Sequence, residues 1–274
     1  MFFKKALLAA SLLAVSASAS ALTVNDGSEV NLNEIINGTL IQDGSTINVL
    51  GDTDTTIAST DALFTSTDAG GSSATFLIEI TGGQSTQSFG IYNGNDYVEL
   101  FVGSDVGTYV AGSYAAYGVG NYSGAVAQTN TYSKVTFGVN GSQTTVRVDG
   151  IEVGNFSSSD FGFYMANGST LIHSESDKNA GGTDRFISIA GQDQKINLGS
   201  EVTYGCDASN LHLCETWESD DRIVAFEDGG DFDFNDLVVY VEDVTPVSEP
   251  GTLALFGLGL AGLGMARRKQ NKKA

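Results

Sequence analysis

The sequence predicts an all-β protein: an antiparallel, jelly-roll-like β-sandwich body between a cleaved N-terminal signal peptide and a C-terminal hydrophobic helix. Three observations carry this. The 274 residues are 41% apolar with 15 Phe and 10 Tyr, which excludes a disordered chain. Asn-Gly pairs at 37–38, 93–94, 140–141 and 167–168, and Asp-Gly pairs at 26–27, 43–44, 149–150 and 228–229, recur as hairpin-turn signals. Between them lie short apolar or alternating runs, and no segment of 22–250 holds a long helical period.

Residues 1–21 hold Lys4 and Lys5, an apolar run Ala6–Val15, then small residues. This is the order of a secretory signal peptide, too short to span a bilayer. Ala19-x-Ala21 places signal-peptidase cleavage before Leu22, with Ala17-x-Ala19 as the alternative. The rest of the chain is expected to be exported.

Residues 22–73 form an N-terminal β or connector segment. Asp26-Gly-Ser-Glu-Val-Asn-Leu and Asp43-Gly-Ser-Thr-Ile-Asn-Val are alike, and a hairpin or two edge strands is the plain expectation. Asn31–Ile36 has room for one helical turn. The Thr residues at 53, 55, 56, 60, 65 and 67 have no fixed repeat, so they do not make a flat ice-binding array.

Residues 74–243 are the expected sandwich. The strongest signal is a three-stranded meander: Lys134–Val139, a turn at Asn140-Gly141, Ser142–Val148, a turn at Asp149-Gly150, then Ile151–Val153. Further strands are expected at Ala74–Thr81, Gln87–Tyr92, Tyr97–Val102, Gly162–Met165, Arg185–Ala190 and Asp236–Val241. Cys206 and Cys214 close a short loop. In an oxidising compartment a disulfide is the expectation, with a zinc site using His212 as the alternative, although no fourth ligand is nearby.

Charge narrows the functions. All 33 acidic residues fall in 22–250, against six basic ones, for a net charge of −27 in that stretch. Such a surface repels phosphate backbones, which excludes nucleic acid as a partner, and it attracts divalent cations. The acids concentrate in 215–243, which holds eleven of them and one base, Arg222. Their centre runs from Phe226 to Val239. Glu227, Asp228, Asp231, Asp233, Asn235 and Asp236 crowd oxygen donors into one loop, and each carboxylate raises its neighbours' pKa. A hard cation relieves that conflict, and calcium takes six to eight oxygens. Asp231, Asp233, Asn235 and Asp236 are the leading candidate ligands, with Glu227 and Asp228 as helpers. The spacing echoes an EF-hand loop, with Glu242 at its twelfth place. However, Asp236 stands where that loop needs Gly, and Leu237–Val241 reads as strand.

Residues 244–274 read as a sorting signal. Gly251–Ala266 is apolar or small except Thr252 and would reach roughly 24 Å as a transmembrane helix at 1.5 Å per residue. The basic stop at 267–273, led by Arg267 and Arg268, would stay cytoplasmic. Gly257-x-Gly259-x-x-Gly262 matches a dinucleotide fingerprint only in spelling, since no strand precedes it and no βαβ unit surrounds it. The Ser248-Glu249-Pro250 triplet, the Thr252-Leu253-x-Leu255 step, the Gly/Leu helix and the Arg-Arg-Lys stop together resemble the PEP-CTERM sorting signal of Gram-negative bacteria, whose tail is also labelled an ice-binding protein C-terminal domain. Ser248 replaces the family's usual first Pro. The resemblance implies recognition of Glu249 and Pro250 by exosortase, an envelope protease, and transient anchoring in the inner membrane before processing. It implies nothing about ice.

The run Phe226-Glu227-Asp228-Gly-Gly-Asp-x-Asp-Phe-Asn-Asp-Leu-Val resembles the terminal signature of an uncharacterised secreted bacterial domain family. Ser88–Tyr92, Val98–Phe101 and Phe161–Tyr164 suit its strands. That likeness implies a β-sandwich associated with calcium and without known catalysis. No Gly-x-Ser-x-Gly, Walker Gly-Lys pair or His-Glu-x-x-His occurs. His173 and His212 are expected as exposed polar residues outside any triad. The expectation is a non-enzymatic protein of the cell surface or extracellular matrix, deposited among exopolysaccharide. A carbohydrate-binding module is the alternative, with Tyr109, Tyr114, Tyr117 and Tyr122 as candidate platforms.

Overall fold

The computed structural model describes residues 31–47, 49, 58–59, 62–67, 72–79, 87–102, 132–140, 143–148, 151–198, 203–230 and 232–247. It is an antiparallel β-sandwich, and every strand pairing among the described residues is antiparallel. The strands are β1 (Ala58–Ser59), β2 (Phe64–Ser66), β3 (Ser72–Glu79), β4 (Gln87–Asn93), β5 (Asp96–Val102), β6 (Tyr132–Asn140), β7 (Gln143–Val148) and β8 (Ile151–Phe156). They continue with β9 (Gly162–Asn167), β10 (Thr170–His173), β11 (Phe186–Ala190), β12 (Gln194–Ile196), β13 (Glu215–Trp217), β14 (Arg222–Phe226), β15 (Leu237–Val241) and β16 (Val244–Pro246). One sheet has the order β1-β11-β14-β15-β3-β6-β7-β8, and the sheet facing it β10-β9-β4-β5. Two short ribbons, β12-β13 and β16-β2, complete the set.

The meander expected around Asn140 and Asp149 is present as β6-β7-β8. The other expected strands match β3, β4, β5, β9, β11 and β15. The turns differ in frame from a two-residue Asn-Gly loop. Asn93 pairs with Asp96 and Asn167 with Thr170, so each Asn is the last ladder residue and its Gly opens the turn. Gly94 and Gly168 have φ near +60°, while the residue after each does not. Positive φ at the first loop position alone is the pattern of a type II′ turn, which favours glycine there.

The central strands β11, β14 and β15 are buried along their whole length. Their alternate residues feed two separate cores. Phe186, Val224, Phe226, Leu237, Val239 and Val241 face the four-stranded sheet and meet Phe89, Phe161 and Phe163. Ile187, Ile189, Ile223, Ala225, Val238 and Tyr240 face the other way, onto Trp217 and the N-terminal segment. A strand buried on both faces loses the polar half of its alternation, which is why Arg222-Ile-Val-Ala-Phe226 shows no period of two.

Within 31–47 that second cover is helical, as the turn expected at Asn31–Ile36, and no strand forms over 43–47, whereas most of the first Asp-Gly-Ser motif lies outside the described residues. Asn31 caps a helical turn, α1 (Leu32–Ile35), with a reciprocal capping box. Its Oδ1 accepts from Glu34 N–H at 3.0 Å, and the Glu34 carboxylate accepts from Asn31 N–H at 3.3 Å. A π turn, Ile36–Leu40, follows and is closed by Ile41 N–H donating to Ile36 O at 3.0 Å. Leu32, Ile35, Ile36 and Leu40 share one apolar stripe, so helix burial outweighs the β-prone composition. The Asn37 amide then holds Ile47 through two 2.7 Å bonds, one to its C=O and one from its N–H, much as a neighbouring strand would.

Cys206 and Cys214 form a disulfide, with their Cα atoms 4.7 Å apart. His212 is exposed, and with both sulfurs in the S–S bond the zinc alternative has no thiolates. His173 departs from the exposed default. It is 6% exposed on the outer face of the four-stranded sheet, where Nε2 lies 2.9 Å from Tyr97 Oη. Burial, with Lys178 adding to it, pushes its pKa below the ordinary value. The tyrosines beside it lie on glycines: a Cβ added at Gly162 would fall 2.3 Å from the Tyr92 ring, and one at Gly90 2.5 Å from Tyr164.

Candidate functional site

The acidic run is the connection between the two central strands, and Phe226 pairs with Leu237 at its neck. Its first and last carboxylates span it reciprocally. Glu227 is fully buried, and its Oε2 accepts from the N–H groups of Asp233 and Phe234 at 3.1 and 3.4 Å. Asp236, 8% exposed, accepts through Oδ2 from Asp228 N–H and from Gly229 N–H. Two acids thus satisfy four backbone donors, which is why they stay buried without a cationic side chain.

The loop is anchored on three sides. Asp228 Oδ2 accepts from Asn167 Nδ2 at 2.5 Å and Gln87 Nε2 at 3.3 Å, both at one end of the four-stranded sheet. Arg185 Nη1 donates to the carbonyls of Glu227 and Gly229 at 3.2 and 2.7 Å, and its guanidinium lies 5.9 Å from the centre of the Phe232 ring. Leu32 N–H donates to Asp233 O at 3.0 Å and ties the loop to α1. Phe234 is buried in the core beneath α1, and Phe232 packs against that core.

Phe232 and Phe234 have φ of 56° and 54°. This is a costly region for bulky residues, of order 1–3 kcal/mol each, and it persists only where the surroundings impose it. Here the Glu227 carboxylate and the burial of Phe234 impose it. The alternation leaves Asp233, 5% exposed, and Asn235, 1% exposed, beside one another, with Asn235 Nδ2 donating to Asp233 Oδ2 at 2.5 Å.

The structure therefore gathers Glu227, Asp228, Asp233, Asn235 and Asp236 in one loop, whereas Asp231 lies outside the described residues. Among the described residues, no three His, Cys, Asp or Glu side chains converge as a metal-binding group. Burial, then the charges of Glu227 and Asp228, pushes the Asp236 carboxyl up to about 9. The donor set is all oxygen, from carboxyl and carboxamide groups, which fits a hard cation such as calcium better than zinc. Sequence spacing did not reveal Arg185, Asn167 and Gln87, which stand far upstream of the loop in the chain. Only the strand register brings them to it.

The body ends at β16, where Val247 N–H donates to Leu63 O at 2.8 Å. The segment beyond it decides how the chain is handled. Residues 246–269 match the PEP-CTERM protein-sorting motif. This motif implies a secreted protein, exported to the cell envelope or surface of a Gram-negative bacterium and processed by exosortase. Glu249, Pro250, Arg267, Arg268, the 251–266 helix, and Ala19 and Ala21 at the signal cleavage site lie outside the described residues. So do Tyr109, Tyr114, Tyr117 and Tyr122. No helix of the described residues is long and apolar enough to cross a membrane. No curated protein and no solved structure matches the chain.

Proposed function

We propose that this chain is a non-enzymatic surface or matrix protein, deposited among exopolysaccharide after sorting, whose sandwich is stabilised by calcium at the β14–β15 loop. The observation that carries the calcium reading is the crowding of Glu227, Asp228, Asp233 and Asp236 within ten residues, three of them under a tenth exposed. Asp233, Asn235 and Asp236, with Asp231, would hold the ion. Glu227 and Asp228 support them by fixing the loop backbone and docking it to the four-stranded sheet. Bound calcium would supply charge neutralisation and nothing chemical.

Thermal unfolding of the full chain in EDTA and in millimolar calcium tests this. Calcium at a hundredfold excess over its dissociation constant adds about 2.7 kcal/mol of stability. The double variant Asp231→Ala/Asp233→Ala should lose that gain. A wild-type midpoint unmoved by calcium ends the reading.

A carbohydrate-binding role is the second reading, and one residue favours it. Tyr97 is 42% exposed, and its ring is fixed by the bond to His173 and by stacking on Tyr92 at 5.6 Å. A rigid, half-open aromatic face suits the apolar side of a sugar ring. Glycan-array binding that Tyr97→Ala abolishes would support it; retention of no sugar, with or without calcium, would exclude it.

A further inference from the structure

Arg222 opens β14, and its side chain shares a face with Val224 and Phe226, toward the aromatic core. It is 5% exposed. Among the described residues no acceptor lies within hydrogen-bond distance of Nε or Nη1, and no carboxylate lies within ion-pair distance. Of the acids beside it in the chain, Asp220 acts on the guanidinium through its charge without a hydrogen bond to it, and Asp221 does not face it. Asp221 lies on the opposite face, where its carboxylate accepts from Tyr240 Oη at 2.9 Å and Asp243 N–H at 3.2 Å. Asp220 accepts from Thr67 Oγ1 at 3.1 Å.

A second orphan lies beside the first. Ser188 on β11 is fully buried, and its hydroxyl has no partner either. Ser188 pairs with Val224 and Ala190 with Arg222, so Ser188 is Arg222's diagonal neighbour on the same face. The residues directly opposite the arginine are Ala190 on β11 and Val241 on β15, neither of which offers a hydrogen-bonding side chain. Guanidinium N–H groups such as Nε and Nη1, held away from water without an acceptor, are strongly disfavoured, and an apolar residue of like volume would serve packing better. A cation and a hydroxyl, both unsatisfied on adjoining strands, describe a site for an anion from the medium.

We propose that Arg222 and Ser188 form a binding site for a small carboxylate anion. One oxygen would accept from the guanidinium and the other from the Ser188 hydroxyl, a charge-assisted arrangement that arginine favours. The site offers one positive charge, on which Asp220 already acts in part, so a ligand of more than one negative charge is not balanced there. A dianion would leave a surplus in a stretch, 22–250, already at −27, so phosphate and sulfate are disfavoured. The site is independent of the calcium loop and of the Tyr97 ring, and it stands or falls apart from both readings above.

The test is unfolding and calorimetry of the full chain titrated with sodium acetate, against sodium chloride and sodium phosphate at matched ionic strength. Acetate should stabilise saturably, lowering the unfolding equilibrium constant roughly a hundredfold at a hundredfold excess over its dissociation constant. Chloride and phosphate should do less. Arg222→Met should abolish the acetate response and equal or exceed the ligand-free wild type in stability. Ser188→Ala, which removes only a hydroxyl, should fold normally and weaken acetate roughly tenfold, so it decides the matter if the arginine variant does not fold. Overturning results are an acetate response no larger than that of chloride, one preserved in Arg222→Met or undiminished in Ser188→Ala, or tighter binding of phosphate.

Discussion

The two faces of the central sheet solve the same burial problem with different materials. Toward the four-stranded sheet the core is aromatic: Phe163 contacts the rings of Phe64, Phe89, Phe161 and Phe186 at centroid distances of 4.8–6.3 Å. Toward the N-terminal segment it is mostly aliphatic, with Leu32, Ile35, Ile36, Ile223 and Val238 around Trp217. Two regular sheets keep a fixed separation of about 10 Å, which large flat rings fill. An irregular cover of one helical turn, a π turn and a ribbon has no fixed separation, and branched aliphatics fit its uneven gaps. The contrast teaches that cover geometry, not burial alone, sets side-chain chemistry.

The largest expected effect probes the aromatic side. Phe163→Ala should cost about 3–5 kcal/mol in urea unfolding, because four neighbouring rings cannot all close the void. Ile35→Ala probes the aliphatic side and should cost about 2–4 kcal/mol. A cost near zero there would break the comparison, since it would make 31–49 an ornament and not a core layer. Asn31→Ala removes the cap and should cost about 0.5–2 kcal/mol. Its effect should shrink in an Ile35→Ala background if cap and stripe act as one unit.

Acidity sharpens the contrast with opposite signs. His173, on the outer face of the four-stranded sheet, has a folded pKa below its unfolded 6.5. The unfolded chain binds more protons there, so stability is lost as pH falls below about 6.5. Asp236, at the loop that reaches α1, is raised from 3.8 to about 9 in the ion-free protein. The folded chain holds more protons there, so its contribution is intact below about pH 4 and lost as pH rises toward 9. Denaturation profiles of His173→Gln and Asp236→Asn in EDTA should each flatten only their own limb. Loss of both limbs in one variant would contradict the assignment.

The sandwich was legible where strands alternate or run as short apolar stretches between turn residues. The meander around Asn140 and Asp149 alternates, and hairpin residues bracket it. β14 was not legible: β11 and β15, equally buried on both faces, read as short apolar runs, whereas Arg222–Phe226 opens on a charged residue directly after an acidic stretch and carries no period. The α1 signal was present as Asn31-x-x-Glu34 ahead of Leu32, Ile35 and Ile36. It competed with a duplicated Asp-Gly-Ser motif that suggested strands, and tertiary burial decided between them. At the acidic loop, the crowding and the burial of Phe234 could be read from spacing. The reciprocal bonds of Glu227 and Asp236 could not, because they depend on left-handed backbone at two phenylalanines, which spacing alone does not signal.

The bond from Leu32 N–H to Asp233 O has a consequence for biogenesis. In an exported chain that crosses the membrane amino end first, the greasy stripe of 32–40 arrives early, and its lid-mates on β14 and β15 arrive near the end of the body. Until then that stripe meets only part of its final core, chiefly Ile187, Ile189 and Ile196, so the body cannot close fully while its last strands are still inside the cell. Final consolidation therefore follows export and is timed by delivery of the last strands.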